Sequence, residues 1–103
     1  MVYFLYSMVE ETRFEFEFDE QKSRTNQDKH GIDFVQAQQL WLDPDRVQTP
    51  ARSRHEPRFL VVGLISDLYW SAFITFRDQR IRLISVRRSR RKEVPAHGQV
   101  HGC

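Results

Sequence analysis

Three short stretches of this chain carry side chains able to move protons and hold phosphate. They are Lys29-His30, Glu56-Pro57-Arg58, and the run Arg80-Ile81-Arg82-Leu83-Ile84-Ser85-Val86-Arg87-Arg88. An imidazole exchanges protons near neutral pH. A carboxylate near arginine can serve as a base, and Lys29, Arg58 and Arg82 can stabilise a charged phosphorane. Cleavage of a ribose phosphodiester asks for this set: the 2′-hydroxyl loses a proton, the leaving 5′-oxygen gains one, and negative charge builds on phosphorus. The inventory calls for no metal and no other cofactor.

Each feature has a plainer reading. Lys29-His30-Gly31 fits a helix end, where cations complement the dipole. Glu56 and Arg58 fit a surface pair of little energetic worth, and Arg82 a solvated rim residue. His55 reads as an exposed loop spectator, and His97 and His101 lie in a tail too rich in Gly and Pro to suggest a metal site. Trp41 and Trp70 fit the core, whereas Tyr69 suits either core or surface. As contacts to RNA, Arg77, Arg80, Arg87, Arg88 and Tyr69 stand out, because guanidinium groups bind phosphate in bidentate fashion and aromatics stack on unpaired bases.

The net charge of +2 conceals a division. Residues 1–45 carry four basic and ten acidic side chains; residues 46–103 carry twelve basic and four acidic. From Arg80 to Lys92 there are seven cations and no carboxylate. Such a stripe suits a phosphate backbone, which releases counterions on neutralisation; it also suits an acidic protein or a solvated face. With 103 residues, 40% of them hydrophobic, the chain has the size and composition of one globular domain and is too apolar for a disordered one. The single cysteine, Cys103, excludes an internal disulfide. The apolar start, Met1–Val9, is too short to span a membrane and lacks the basic opening of a secretory signal. A cytoplasmic protein is expected.

Residues 1–13 read as an N-terminal extension, with Met8 an alternative start. Phe14-Glu15-Phe16-Glu17-Phe18 alternates with period two, as a strand with one buried face does. Asp19 then caps a helix over 20–30 that is polar nearly all round, and Gly31 stops it. Asp33 and Gln36 form a capping box for a second helix bearing Phe34, Ala37, Leu40 and Trp41 on one face and ending at Asp43-Pro44. A loop over 45–57, with an edge strand near 46–49, leads to three antiparallel strands at 58–66, 68–77 and 80–88. The last is apolar on both faces: Ile81 and Leu83 on one, Ile84 and Val86 on the other. The expectation is an α+β fold, an N-terminal strand and two helices packed on an antiparallel meander with a basic C-terminal tail. The helices would cover one sheet face, leaving Tyr69, Ser71, Thr75 and Arg77 on the other free for a ligand.

Taken in order, these residues resemble the BrnT toxin family. The likeness runs from Phe14-Glu15-Phe16-Glu17-Phe18-Asp19 through Lys22, Asn26 and Lys29-His30-Gly31-Ile32-Asp33-Phe34. It resumes at Asp43-Pro44, at Glu56-Pro57-Arg58-Phe59 leading to Gly63, and across Arg80–Arg88, spanning roughly 14–93. The resemblance implies a RelE-like ribonuclease domain that cleaves RNA and stops translation. It implies a BrnA-like ribbon-helix-helix antitoxin, with operator DNA bound only through the complex. Carried onto this chain, Lys29, His30, Glu56, Arg58 and Arg82 become the functional positions; the chemistry of the side chains, not the resemblance, suggests His30 or Glu56 as acid or base. The chain departs from the family beyond Arg91-Lys92-Glu93, where Pro95 and two glycines replace a helix with its tyrosine and residues 94–103 read as an irregular tail. A non-catalytic remnant of the same fold, binding RNA or antitoxin, is the alternative.

Overall fold

The computed structural model describes residues 2–9 and 12–99, with side chains described from Phe14 to His97. Among these residues six strands form one sheet in the order β1-β2-β6-β5-β4-β3. They are β1 (Val2–Val9), β2 (Thr12–Asp19), β3 (Val47–Ala51), β4 (Arg58–Ile65), β5 (Leu68–Arg77) and β6 (Arg80–Arg88). The fold is α+β, as expected, but the sheet is mixed. The N-terminal strand lies within it, β2 running parallel to β6 with Phe16 opposite Ile81 and Glu17 opposite Arg82. Much of the presumed extension is itself a strand, since β1 pairs antiparallel with β2 from Val2↔Asp19 to Val9↔Thr12. At the other edge, β3 tolerates Pro50 because an edge strand has donors to spare.

Helix α1 (Glu20–His30) begins at Asp19, whose side chain accepts from the Lys22 N–H, and ends at Gly31 with φ of 77°. Its polar surface has a structural task. Asn26 is buried; its Nδ2 donates to the carbonyls of Ile32 (2.8 Å) and Val86 (2.7 Å), and its Oδ1 accepts from the Val86 N–H (3.0 Å). This amide continues the ladder on the edge of β6 away from β5, beyond the residues that pair with β2. Ser23 Oγ accepts from the Phe34 N–H at 2.9 Å, so the helix docks through hydrogen bonds where most helices use an apolar stripe.

The second expected helix forms as a 3₁₀ segment, Gln36–Leu42. Its capping box is present: Gln36 Oε1 accepts from the Asp33 N–H, and Asp33 Oδ1 accepts from the Gln36 N–H. Ala37, Leu40 and Trp41 join Phe16, Phe34, Val61, Ile74, Leu83 and Val86 in one core on a single face of the sheet. Gly63 allows the close approach: a Cβ there would lie 3.2 Å from both Leu40 and Asp43. Asp43 Oδ2 accepts from the Leu64 N–H, fastening the segment to β4.

Two features depart from the expected strands. Phe73 pairs with Ser85 but Ile74 pairs with Leu83, so Ile84 bulges out of β6. The bulge reverses the alternation, and Ile81, Leu83 and Val86 all enter the same core. The expectation that apolar residues of β6 serve two covered faces is corrected accordingly. Both hairpin turns hold two consecutive left-handed residues, Ser66-Asp67 (φ 50° and 68°) and Asp78-Gln79 (φ 49° and 68°), the type I′ pattern normally given to Asn and Gly. Within the tail expected to be irregular, Arg91–Glu93 forms a 3₁₀ turn and Ala96–Gln99 a single turn of helix, α2. Residues 100–103, including His101 and Cys103, lie outside the described residues. No helix among the described residues is long and apolar enough to cross a membrane.

Candidate functional site

The sheet face away from the core carries the outward residues of β2, β6 and β5. Glu17 and Arg82 lie opposite each other across the parallel pair, and Arg82 Nη1 donates to Glu17 Oε1 at 3.4 Å. Glu17 is only 6% exposed, so Arg82 neutralises a carboxylate that would otherwise be buried alone. One step outward, Arg80 Nε donates to Glu15, an interaction that raises the Arg80 pKa.

Across the β5–β6 hairpin, Arg82 faces Thr75 and Arg80 faces Arg77. Thr75 Oγ1 donates to the Pro57 carbonyl at 2.7 Å, which fixes the end of the 52–57 loop against β5. Glu56 is thereby held between two guanidinium groups, with Arg58 Nη2 at 3.9 Å and Arg77 Nη2 at 3.8 Å. These separations are too long for hydrogen bonds, so both carboxylate oxygens keep lone pairs for another partner. Arg58 Nε is buried without a hydrogen-bond acceptor. Glu56, Arg58, Arg77, His55, Arg52 and Arg54 line an open cleft at this end of the sheet. A carboxylate, an imidazole and several guanidiniums around one opening can exchange protons with a bound phosphodiester and stabilise its added charge.

Other expected site residues lie elsewhere. Lys29 and His30 are exposed at the end of α1, beside Gly31, which shares a shallow pocket with Ser66, Leu68 and Trp70. That is the opposite end of β5 from Arg77; the strand between Trp70 and Arg77 spans about 23 Å at 3.3 Å per residue. Arg88 belongs to the same end, 5.6 Å over the Trp70 ring. The structure thus groups Glu56, Arg58 and Arg77 at the cleft, sets Arg80 and Arg82 on the neighbouring strand in ion pairs with Glu15 and Glu17, and leaves Lys29 and His30 apart from them.

The outer face is also less open than expected. Ser71 (0% exposed) and Thr75 (2%) are buried because the tail folds over one and the 52–57 loop over the other. Arg87 donates to both oxygens of Glu93, at 2.8 and 2.7 Å, and sits 5.3 Å over the Phe73 ring. Glu93 also accepts from Ser71 Oγ and the Arg90 N–H. The Arg87 bonds in particular, with those from Arg90 and Ser71, overcome the opposing effect of burial and hold the Glu93 carboxyl at about 2. Tyr69 is half-buried, and its carbonyl accepts from the Ser89 N–H. His55, expected to be an exposed loop residue, is exposed and lines the cleft beside Glu56, a neighbourhood that its position next to Glu56 in the sequence signals. Sequence reasoning missed the Glu17–Arg82 pair, for which no local signal exists because a parallel register joins the two.

Residues 18–93 match the model of a protein family described as ribonuclease toxin, BrnT, of type II toxin-antitoxin system. No curated protein matches the chain significantly. The matched region takes in α1, the core 3₁₀ segment, the cleft residues and Arg82, and leaves β1 and most of β2 outside. Because the match extends over well more than half of its length, the chain belongs to the BrnT family of ribonuclease toxins of type II toxin–antitoxin systems.

Proposed function

We propose that this chain is an endoribonuclease toxin of RelE-like fold that cleaves RNA without a metal ion, inhibits translation in the cytoplasm, and is neutralised by a ribbon-helix-helix antitoxin through which the pair reaches operator DNA. The observation that carries the reading is Glu56, set between Arg58 and Arg77 in an open cleft with Arg82 on the neighbouring strand. In this reading Glu56 takes the proton from the 2′-hydroxyl. The 2′-oxygen bonds to phosphorus, the bond from phosphorus to the 5′-oxygen breaks, and a proton passes to that oxygen, leaving a 2′,3′-cyclic phosphate and a 5′-hydroxyl. Arg58, Arg77 and Arg82 stabilise the charge on phosphorus. Lys29, His30 and Arg88 lie towards the far end of β5, where they are suited to holding the strand beyond the scissile bond.

The test is incubation of the pure protein with single-stranded RNA, with and without chelator. Cleavage to cyclic-phosphate ends that persists in chelator is expected, and induced expression should arrest growth and protein synthesis, with relief by Arg82→Ala or His30→Ala. Abolition by chelator would sink the metal-free mechanism. A non-catalytic RNA-binding module is the second reading, favoured by the distance between Lys29-His30 and the Glu56 cleft; it predicts salt-sensitive binding and intact RNA.

A further inference from the structure

Proton transfer to the leaving oxygen needs a donor within hydrogen-bond reach of the cleft. The imidazole on α1 stands beside Gly31 at the other end of β5 from Arg77. The cleft has its own imidazole. His55 lines it together with Glu56, Arg58 and Arg77. Its loop is shaped by a local hydrogen bond, the Glu56 N–H donating to Ser53 Oγ at 3.3 Å, and is fastened to β5 where the Pro57 carbonyl accepts from Thr75 Oγ1 at 2.7 Å. That anchor, two residues from His55, keeps this end of an otherwise exposed loop at the rim of the opening. The buried, unpaired Arg58 Nε in the same wall is the kind of orphan donor that an anionic ligand satisfies.

We infer that His55 is the general acid of this site, donating its proton to the 5′-oxygen as the bond to phosphorus breaks, while Glu56 receives the proton of the 2′-hydroxyl. The inference rests on the ribonuclease reading above and adds a residue to it. The pair balances: one proton leaves the imidazolium for the 5′-oxygen, one reaches the carboxylate from the 2′-oxygen, and water-mediated exchange restores both. The charged groups facing His55 across the cleft are Arg52, Arg54, Glu56, Arg58 and Arg77.

The experiment compares wild type, His55→Ala and a His97→Ala control on two RNAs, one ordinary and one whose scissile 5′-oxygen is replaced by sulfur. A thiolate leaves without protonation. His55→Ala is expected to lose about 100-fold or more on ordinary RNA and less than about 10-fold on the sulfur-bridged RNA, with added imidazole restoring part of the loss. The control should match wild type on both. Equal loss on the two substrates, or no loss on either, would overturn the acid role. A second arm follows the His55 ring signals by NMR as a 2′-deoxy oligonucleotide, which cannot be cleaved, is added. Signals that stay still while the oligonucleotide binds overturn the inference whether or not wild type cleaves RNA. Signals that move in a protein that cuts neither substrate would place His55 on the phosphate but defeat the ribonuclease reading and the acid role with it, whereas still signals in a protein that cleaves RNA defeat the acid role alone.

Discussion

Glu56 and Glu93 lie against the same face of the sheet at opposite ends of β5, and each meets arginine. The resemblance stops there. Glu93 is gripped at 2.8 and 2.7 Å by Arg87 and accepts two further hydrogen bonds, from Ser71 and Arg90. Glu56 has its arginines at 3.9 and 3.8 Å, with Arg58 Nε orphaned nearby. Identical residue types meet in two geometries that differ by roughly one ångström. A pair that consumes its own donors and lone pairs stabilises the fold; a pair held apart keeps them for a ligand.

The sharpest way to break this comparison is to remove each charge in turn. Glu56→Gln should lower RNA cleavage by about 10²- to 10⁴-fold in single-turnover assays while shifting stability by less than about 1 kcal/mol, as exposed pairs do. Glu93→Gln should reverse the balance, costing about 2–3 kcal/mol in denaturant unfolding and leaving cleavage within a few-fold of wild type. If both variants lose activity equally, the two ends are one functional unit and the contrast fails.

Acid sharpens it further. The Glu93 carboxyl is held at about 2 against an ordinary 4.5, so the unfolded chain binds the extra proton first as pH falls. The clasp contributes fully above about pH 4.5 and fades as pH drops towards 2, so thermal unfolding should show a midpoint decline across that window that Glu93→Gln makes shallower. The smallest effect expected is at the turn beside the open end. Gln79 holds φ of 68°, and Gln79→Gly should raise stability by about 0.5–1 kcal/mol without changing cleavage. A loss of stability there would mean that the Gln79 side chain has a role in the open end.

The strands were legible where patterning is local. The alternating phenylalanines marked β2, and Asp19 and Gly31 bounded α1. What the sequence hid was long-range. Nothing local announces that Asn26 will complete the β6 ladder, that Ile84 will bulge, or that β2 will lie parallel to β6 so that Glu17 meets Arg82. The candidate site was half legible for the same reason. Glu56 and Arg58 are near neighbours in sequence, but Arg77 reaches them only through the sheet, and Lys29-His30 looked like part of the same site because sequence order carries no information about which end of a strand a helix reaches.

The parallel pairing of β2 with β6 has a consequence for the order of assembly. Phe16 and Glu17 wait for Ile81 and Arg82, so a ribosome must synthesise both helical segments and the three intervening strands before the first half of the sheet finds its partner. Contacts so distant along the polypeptide form late. During synthesis Arg82, which completes the charged face, is among the last parts to arrive, and a product that terminates prematurely before β6 lacks it altogether.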